Sequence, residues 1–162
     1  VGSGTAAWAF DVPSDWIARV LDYCDKFDNN YLFQSKDPIR FLEFIGHPVM
    51  KKSVLCTTIE TNVFYPDIVR NAPGTRKRAK AMQKLASLGM RTYVTCEPLI
   101  KFDLPEMVEL VSMCSPVQVN IGRNSRQDIT LPEPTRNEVQ ALITERQKFT
   151  KVVVKSNAKC WT

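Results

Sequence analysis

The sequence predicts an α/β protein built on a parallel sheet, and three observations carry that reading. Short apolar runs rich in β-branched and aromatic residues recur along the chain, each bounded by turn residues. Stretches with apolar residues at helical spacing lie between them. The apolar runs are hydrophobic on both faces, as strands joined by helices in a parallel sheet must be.

The strands are expected at Tyr31-Leu32-Phe33, Ser53 to Ile59, Thr92 to Cys96, Val117 to Ile121 and Val152 to Val154, with Val1-Gly2 ending another. Five helices alternate with them. Over 13–27, Trp16, Ile17, Val20, Leu21 and Cys24 share a face, and Pro13 and Ser14 open the segment. Over 38–46, Phe41, Leu42 and Ile45 do the same. Over 75–89 the stripe is Ala79, Met82, Leu85 and Ala86, with Gly89 as the stop. Leu104, Met107, Val108 and Val111 mark 104–114, and Val139, Leu142 and Ile143 mark 134–148. About six strands alternating with five helices fit either a doubly wound sheet or a (β/α) barrel. No Gly-rich nucleotide fingerprint follows a strand, and VGSGTAAW lacks the G-x-G-x-x-G spacing, which disfavours Rossmann-type binding.

Bulk properties narrow the classes. The 162 residues suit one domain, and 44% hydrophobic with 24% charged residues is ordinary for a globular chain. No apolar run approaches the ~20 residues a membrane span needs, and no signal peptide opens the chain. The expected setting is cytoplasmic, with no membrane partner. A net charge of +5 admits nucleic acid or another anion as partner, or simply a basic surface. Cys24, Cys56, Cys96, Cys114 and Cys160 are odd in number and widely spaced, so neither a disulfide framework nor a metal knuckle is indicated. Cys56, Cys96 and Cys114 read as small buried hydrophobes.

In parallel α/β folds, sites form at the C-terminal ends of strands. Here every such end is polar. Ser3-Gly4-Thr5 follows the first run, Gln34-Ser35-Lys36 the second, and Thr57-Thr58-Ile59-Glu60-Thr61-Asn62 the third. Glu97 follows Cys96, Asn120 then Gly122 and Arg123 follow Val119, and Lys155-Ser156-Asn157 follows Val154. Lys36, Glu60, Glu97 and Lys155 thus describe a polar mouth in which the lysines pair with the glutamates around a ligand. Pro98 has no N–H to donate and helps to end the strand VTCEPLI at its acid. His47, the single histidine, lies before Pro48 at the opposite end of the sheet and reads as a surface residue. The run Arg76-Lys77-Arg78, with Lys80 and Lys84, reads as a solvated helix face.

The segments VGSGTAAWAFDVPSDWI, YLFQSKDPIRFLEFI, TTIETN, APGTRKRAKAMQKLASLG, VTCEPLI and VNIGRNS, in this order, resemble a phage and prokaryotic family of the radical S-adenosylmethionine-like superfamily, the phage Gp37/Gp68-like group. GTRKRAKAMQKLASLGMRTYVTCEPLI also resembles a stretch of spore photoproduct lyase. The resemblance spans nearly the whole chain and implies a partial (β/α) barrel over 1–162. It implies S-adenosylmethionine across the C-terminal strand ends, chelating a 4Fe–4S cluster, with reductive cleavage giving a radical that abstracts hydrogen. Among the implied cofactor contacts, Lys36 would meet the cofactor's carboxylate, and Thr58 and Glu60 would hold its ribose or amino group. Glu97 and Asn120 would face the adenosine or the substrate, and Ser3, Gln34 and Lys155 complete the cofactor-binding set. No catalytic residue and no substrate follow from the resemblance.

The chain departs from that family in one respect. The cluster motif C-x-x-x-C-x-x-C belongs upstream of everything present here, and no cysteine has that spacing, so this chain holds no cluster ligands and no metal. Because it begins Val1-Gly2-Ser3-Gly4 without Met, the expectation is the C-terminal part of a radical enzyme lacking its cluster-binding βα unit. The alternative is a cluster-less phage accessory module with an anion-binding mouth. A third reading is a different (β/α) enzyme acting on an anionic small molecule through Lys36 and Lys155. A missing first strand would leave the Val1 strand as an unpaired edge and favour self-association there.

Overall fold

The computed structural model describes residues 7–69, 72–126 and 128–162. Five parallel strands form one open sheet in the order β1-β2-β3-β4-β5, which is also their order in the chain. They are β1 (Tyr31–Gln34), β2 (Ser53–Thr58), β3 (Arg91–Cys96), β4 (Gln118–Ile121) and β5 (Lys151–Val154). The expected α/β class with a parallel sheet is therefore present, as an open sheet, and five of the expected strands appear to within a residue or so at each end. The sixth, at Val1-Gly2, lies outside the described residues, as does Ser3.

The helices are α1 (Ser14–Asp25), α2 (Pro48–Lys51), α3 (Pro66–Val69), α4 (Thr75–Ser87), α5 (Leu104–Met113) and α6 (Arg136–Gln147). Two 3-10 segments, Pro38–Phe44 and Ser156–Trp161, complete the elements. The expected helix over 38–46 is thus a 3-10 segment followed by the separate short α2. Pro48 causes the break. A residue before proline is pushed from helical to extended backbone, and His47 sits at φ −73°, ψ 135°.

Local chemistry fixes the longer helices. Asp103 accepts from Glu106 N at 3.2 Å and caps α5. Thr135 and Glu138 form a capping box on α6. Gly89, at φ +82°, lets the chain leave α4 and enter β3, a backbone conformation that costs a glycine little.

Each crossover moves one strand along in the same direction, so right-handed connections place the linking helices on one face. Burial agrees. Phe33, Leu55, Val94 and Val119 of that face join Leu21, Met82, Leu85, Met107, Val111 and Leu142 of the helices in one core. Of the stripe expected on α1, Ile17, Leu21 and Cys24 are buried, whereas Trp16 and Val20 stand exposed.

The opposite face of the sheet is polar. Register aligns Gln34, Cys56, Tyr93, Gln118 and Lys151 in one row across the strands. The next row toward the C-terminal ends is Thr58, Thr95, Asn120 and Val153. Gln34 and Lys151 are exposed and Tyr93, Gln118 and Asn120 half-buried, while Cys56, Thr58 and Thr95 at the centre are buried.

Phe41 anchors the 3-10 segment that follows Lys36. It is fully buried and meets the Trp8 ring edge-on at 4.7 Å between centroids. Phe41→Ala is expected to lower stability by about 3–5 kcal/mol in urea unfolding. A loss below about 1 kcal/mol would show that this segment is not held by the core.

Candidate functional site

The C-terminal end of the sheet gathers the charged residues. Counted in twos from the strand residues, Glu60, Glu97, Gly122 and Lys155 continue the polar face one row beyond Thr58, Thr95 and Asn120, and Lys36, two residues past Gln34, stands level with Thr58. The ladder itself runs on past the strands. Ser35 N donates to the Cys56 carbonyl at 3.0 Å, Ile59 N to Thr95 at 2.9 Å, Gly122 N to Cys96 at 3.1 Å and Lys155 N to Ile121 at 2.9 Å. These bonds carry the strand geometry up to the charged residues.

Two lysine–glutamate pairs result. Lys36 Nζ donates to Glu60 Oε1 at 2.9 Å. Lys155 Nζ donates to Glu97 Oε2. The pairs match the arrangement expected from the sequence, but their surroundings differ. Glu97 is half-buried and Lys155 exposed, so that pair meets solvent. The Glu60 side chain is only 1% exposed, and its second oxygen accepts from Arg78 NH1 at 2.7 Å. Burial pushes the Glu60 carboxyl up, but Arg78 and Lys36 outweigh it and hold the group below its ordinary value.

Arg78 is a correction to the sequence reading. Arg76 and Lys77 are exposed as expected of a solvated face, and Arg76 pairs with Glu106 and Glu109 of α5. Arg78 instead turns inward and is fully buried. Besides Glu60, its NH1 donates to the Thr58 carbonyl at 2.9 Å and its Nε to the Pro73 carbonyl at 2.5 Å. The signal was present in the helix period: Arg78 stands four and seven residues before Met82 and Leu85, on the buried stripe of α4.

Gly122 is the other residue whose role the sequence left unread. A Cβ there would lie 2.8 Å from Glu97 Cδ and Oε1 and 2.9 Å from its Cγ. The Glu97 side chain therefore crosses β4 through the space that a side chain at 122 would fill, and so reaches Lys155 two strands away.

The remaining expected contacts lie deeper. Gln34 Nε2 approaches Thr58 Oγ1 at 3.5 Å, and Asn120 Oδ1 accepts from Gln118 Nε2 at 2.7 Å. His47 caps α2, accepting from Val49 N at 3.3 Å, and lies 3.1 Å from Asp22. A separate apolar cleft of about 540 Å³ lies by Trp8, Trp16 and Phe33, among residues of α1 and β1 rather than at the charged end.

The donor set does not fit an iron–sulfur cluster. No group of three or more His, Cys, Asp or Glu among the described residues could hold a metal ion. Burial pushes the Cys56 and Cys114 thiols up to about 12 and the Cys96 thiol higher still, as expected of small buried hydrophobes. Among the described residues no helix is long and apolar enough to cross a membrane.

Comparison of the chain with models of known protein families, with curated proteins and with solved structures finds no match.

The glycine makes the Glu97–Lys155 pair testable. Gly122→Ala should change stability by less than about 1 kcal/mol, since only the end of a flexible side chain must move. A double-mutant cycle on Glu97 and Lys155 by urea unfolding should give a coupling of about 0.2–1 kcal/mol in the parent and none in Gly122→Ala. An undiminished coupling would show that the open space at 122 is not what allows the pair.

Proposed function

We propose that this chain binds S-adenosylmethionine across the C-terminal ends of its strands, and that the sheet is a segment of a (β/α) barrel of the radical S-adenosylmethionine-like type. The observation that carries the reading is the placement of Lys36, Glu60, Glu97 and Lys155 at one end of the sheet as two lysine–glutamate pairs. Sequential parallel strand order, with linking helices packed on one face and polar rows on the other, suits a barrel wall whose C-terminal rim meets a ligand.

The ligand's own chemistry fits these groups. Its aminocarboxypropyl part carries a carboxylate for Lys36 and an ammonium for Glu97. Below them Thr58 and Asn120 in one row, and Gln34 in the next, offer hydrogen-bond partners for a ribose. Lys155, opposite Glu97, is the counter-ion that an arriving ammonium would displace. When bound, S-adenosylmethionine supplies an activated sulfonium with a cleavable carbon–sulfur bond. The described residues contribute binding and orientation. In this reading any cluster needed for radical chemistry takes its cysteines from elsewhere than these residues, and the substrate is a matter for that larger assembly.

A second reading has its own observation. Lys77, Lys80 and Lys84 are exposed on α4 at i, i+3 and i+7 and join no ion pair among the described residues. Such a stripe suits the backbone of a nucleic acid, and the chain would then be a binding module without radical chemistry.

Isothermal calorimetry separates the two. The chain is expected to bind S-adenosylmethionine, and Lys36→Ala to weaken it by about 1–3 kcal/mol. Binding of a short oligonucleotide alone, with a steep salt dependence, would replace this reading with the second.

A further inference from the structure

The mouth holds more positive charge than its buried carboxylate needs. Glu60 has a cation on each oxygen, Lys36 at 2.9 Å and Arg78 at 2.7 Å. Lys36, Arg78 and Glu60 together carry one surplus positive charge. The two cations are not equivalent. The Lys36 side chain is 45% exposed and the Arg78 side chain 0%. Arg78 is also pinned by the carbonyls of Thr58 and Pro73, so it is fixed to both β2 and the entry of α4. Its NH2 has no partner among the described residues. The other acid that feels Arg78 is Asp37, which is half-buried and whose stronger cationic neighbour is Arg40.

A buried carboxylate left without a cation is costly, whereas one with two cations can release the more exposed of them. Lysine suits release, since its ammonium sits on a flexible stem, and arginine suits permanence, since its planar fork holds several acceptors at once. We propose that Arg78 is a positioning residue, the permanent buried counter-ion of Glu60, which frees Lys36 to turn from Glu60 to a carboxylate of the ligand in the mouth. The part assigned to Lys36 rests on the binding reading above. The part assigned to Arg78 rests on the geometry of the free chain.

Carbon-13 NMR titration of the Glu60 carboxyl tests the Arg78 part without any ligand. In Lys36→Met the midpoint should stay below the ordinary glutamate value. In Arg78→Met it should rise by about one pH unit or more, because the buried acid loses its main cation. Arg78→Lys, which keeps the charge and guards against a variant that fails to fold, should give a smaller rise. A rise in Lys36→Met equal to or larger than that in the Arg78 variants would overturn the assignment. Calorimetry tests the Lys36 part, with S-adenosylmethionine and its decarboxylated analogue as probes. Lys36→Met should lose about tenfold or more in affinity for the first and little for the second. Equal losses for both would overturn it. If the parent chain binds neither probe, the binding reading fails and takes the Lys36 part with it, while the titration alone decides Arg78.

Discussion

A carboxylate at the end of a buried strand stays charged only if cations come to it, and the Glu60–Arg78 pair meets that requirement. The pair is shut away from solvent and spans the two layers of the fold, from the end of β2 to the first turns of α4. In such surroundings the attraction between the charges is strong, yet so is the cost of taking each from water. The extra hydrogen bonds from Arg78 to the Thr58 and Pro73 carbonyls offset part of that cost, since they occupy Nε and NH1 donors that burial would otherwise strand. Removing either partner would leave an uncompensated charge inside, a loss of about 3–5 kcal/mol in comparable pairs. The contact therefore ties the first turns of α4 to the chain beyond β2, adds to the apolar packing of Met82 and Leu85, and sets the electrostatics of the mouth.

From that contact the remaining charges fall into order. The parallel register sets Glu60 beside Glu97, two acids on neighbouring strands, and each is neutralised from the outer side of the row, by Lys36 and by Lys155. Sheet geometry alone would keep Glu97 and Lys155 apart, because β4 lies between them. The missing side chain at Gly122 opens the way across. The result is a row of two acids flanked by two lysines at the carboxyl end of a parallel sheet, the place where such sheets receive ligands.

Much of this was legible in the residues, and the exceptions have physical causes. The strands were readable because short β-branched runs are bounded by turn residues, as in Val54-Leu55-Cys56 and Val152-Val153-Val154, although burial on both faces was expected and Val54, Val152, Val153 and Val154 are only half-buried. Their polar ends were readable because register brings every C-terminal end to the same level. The segment after Asp37 was harder. Its apolar residues repeat at helical spacing, but Pro48 stops the run from extending, and a run this short settles into a 3-10 segment with a separate stub of α-helix beyond it. Arg78 was read with its cationic neighbours as a solvated face, because charge type is a weaker guide to burial than position on the helix when a buried acid waits on the next element. Gly122 carried no signal of its own, since the need for an absent side chain arises only once Glu97 and Lys155 are seen to reach for each other. Trp16 and Val20 continue the apolar stripe of α1 in sequence yet face outward, so the stripe overstates the buried face.

The central claim is that the paired charges at the carboxyl end of the sheet form the ligand site. Amide chemical-shift mapping during addition of S-adenosylmethionine to the isotope-labelled chain tests it most directly. The account predicts perturbations concentrated at the strand ends, around Lys36, Glu60, Glu97, Gly122 and Lys155, with little change near Trp8 and Trp16. Perturbations confined to the Trp8 cleft, or none at all at saturating ligand, would contradict it.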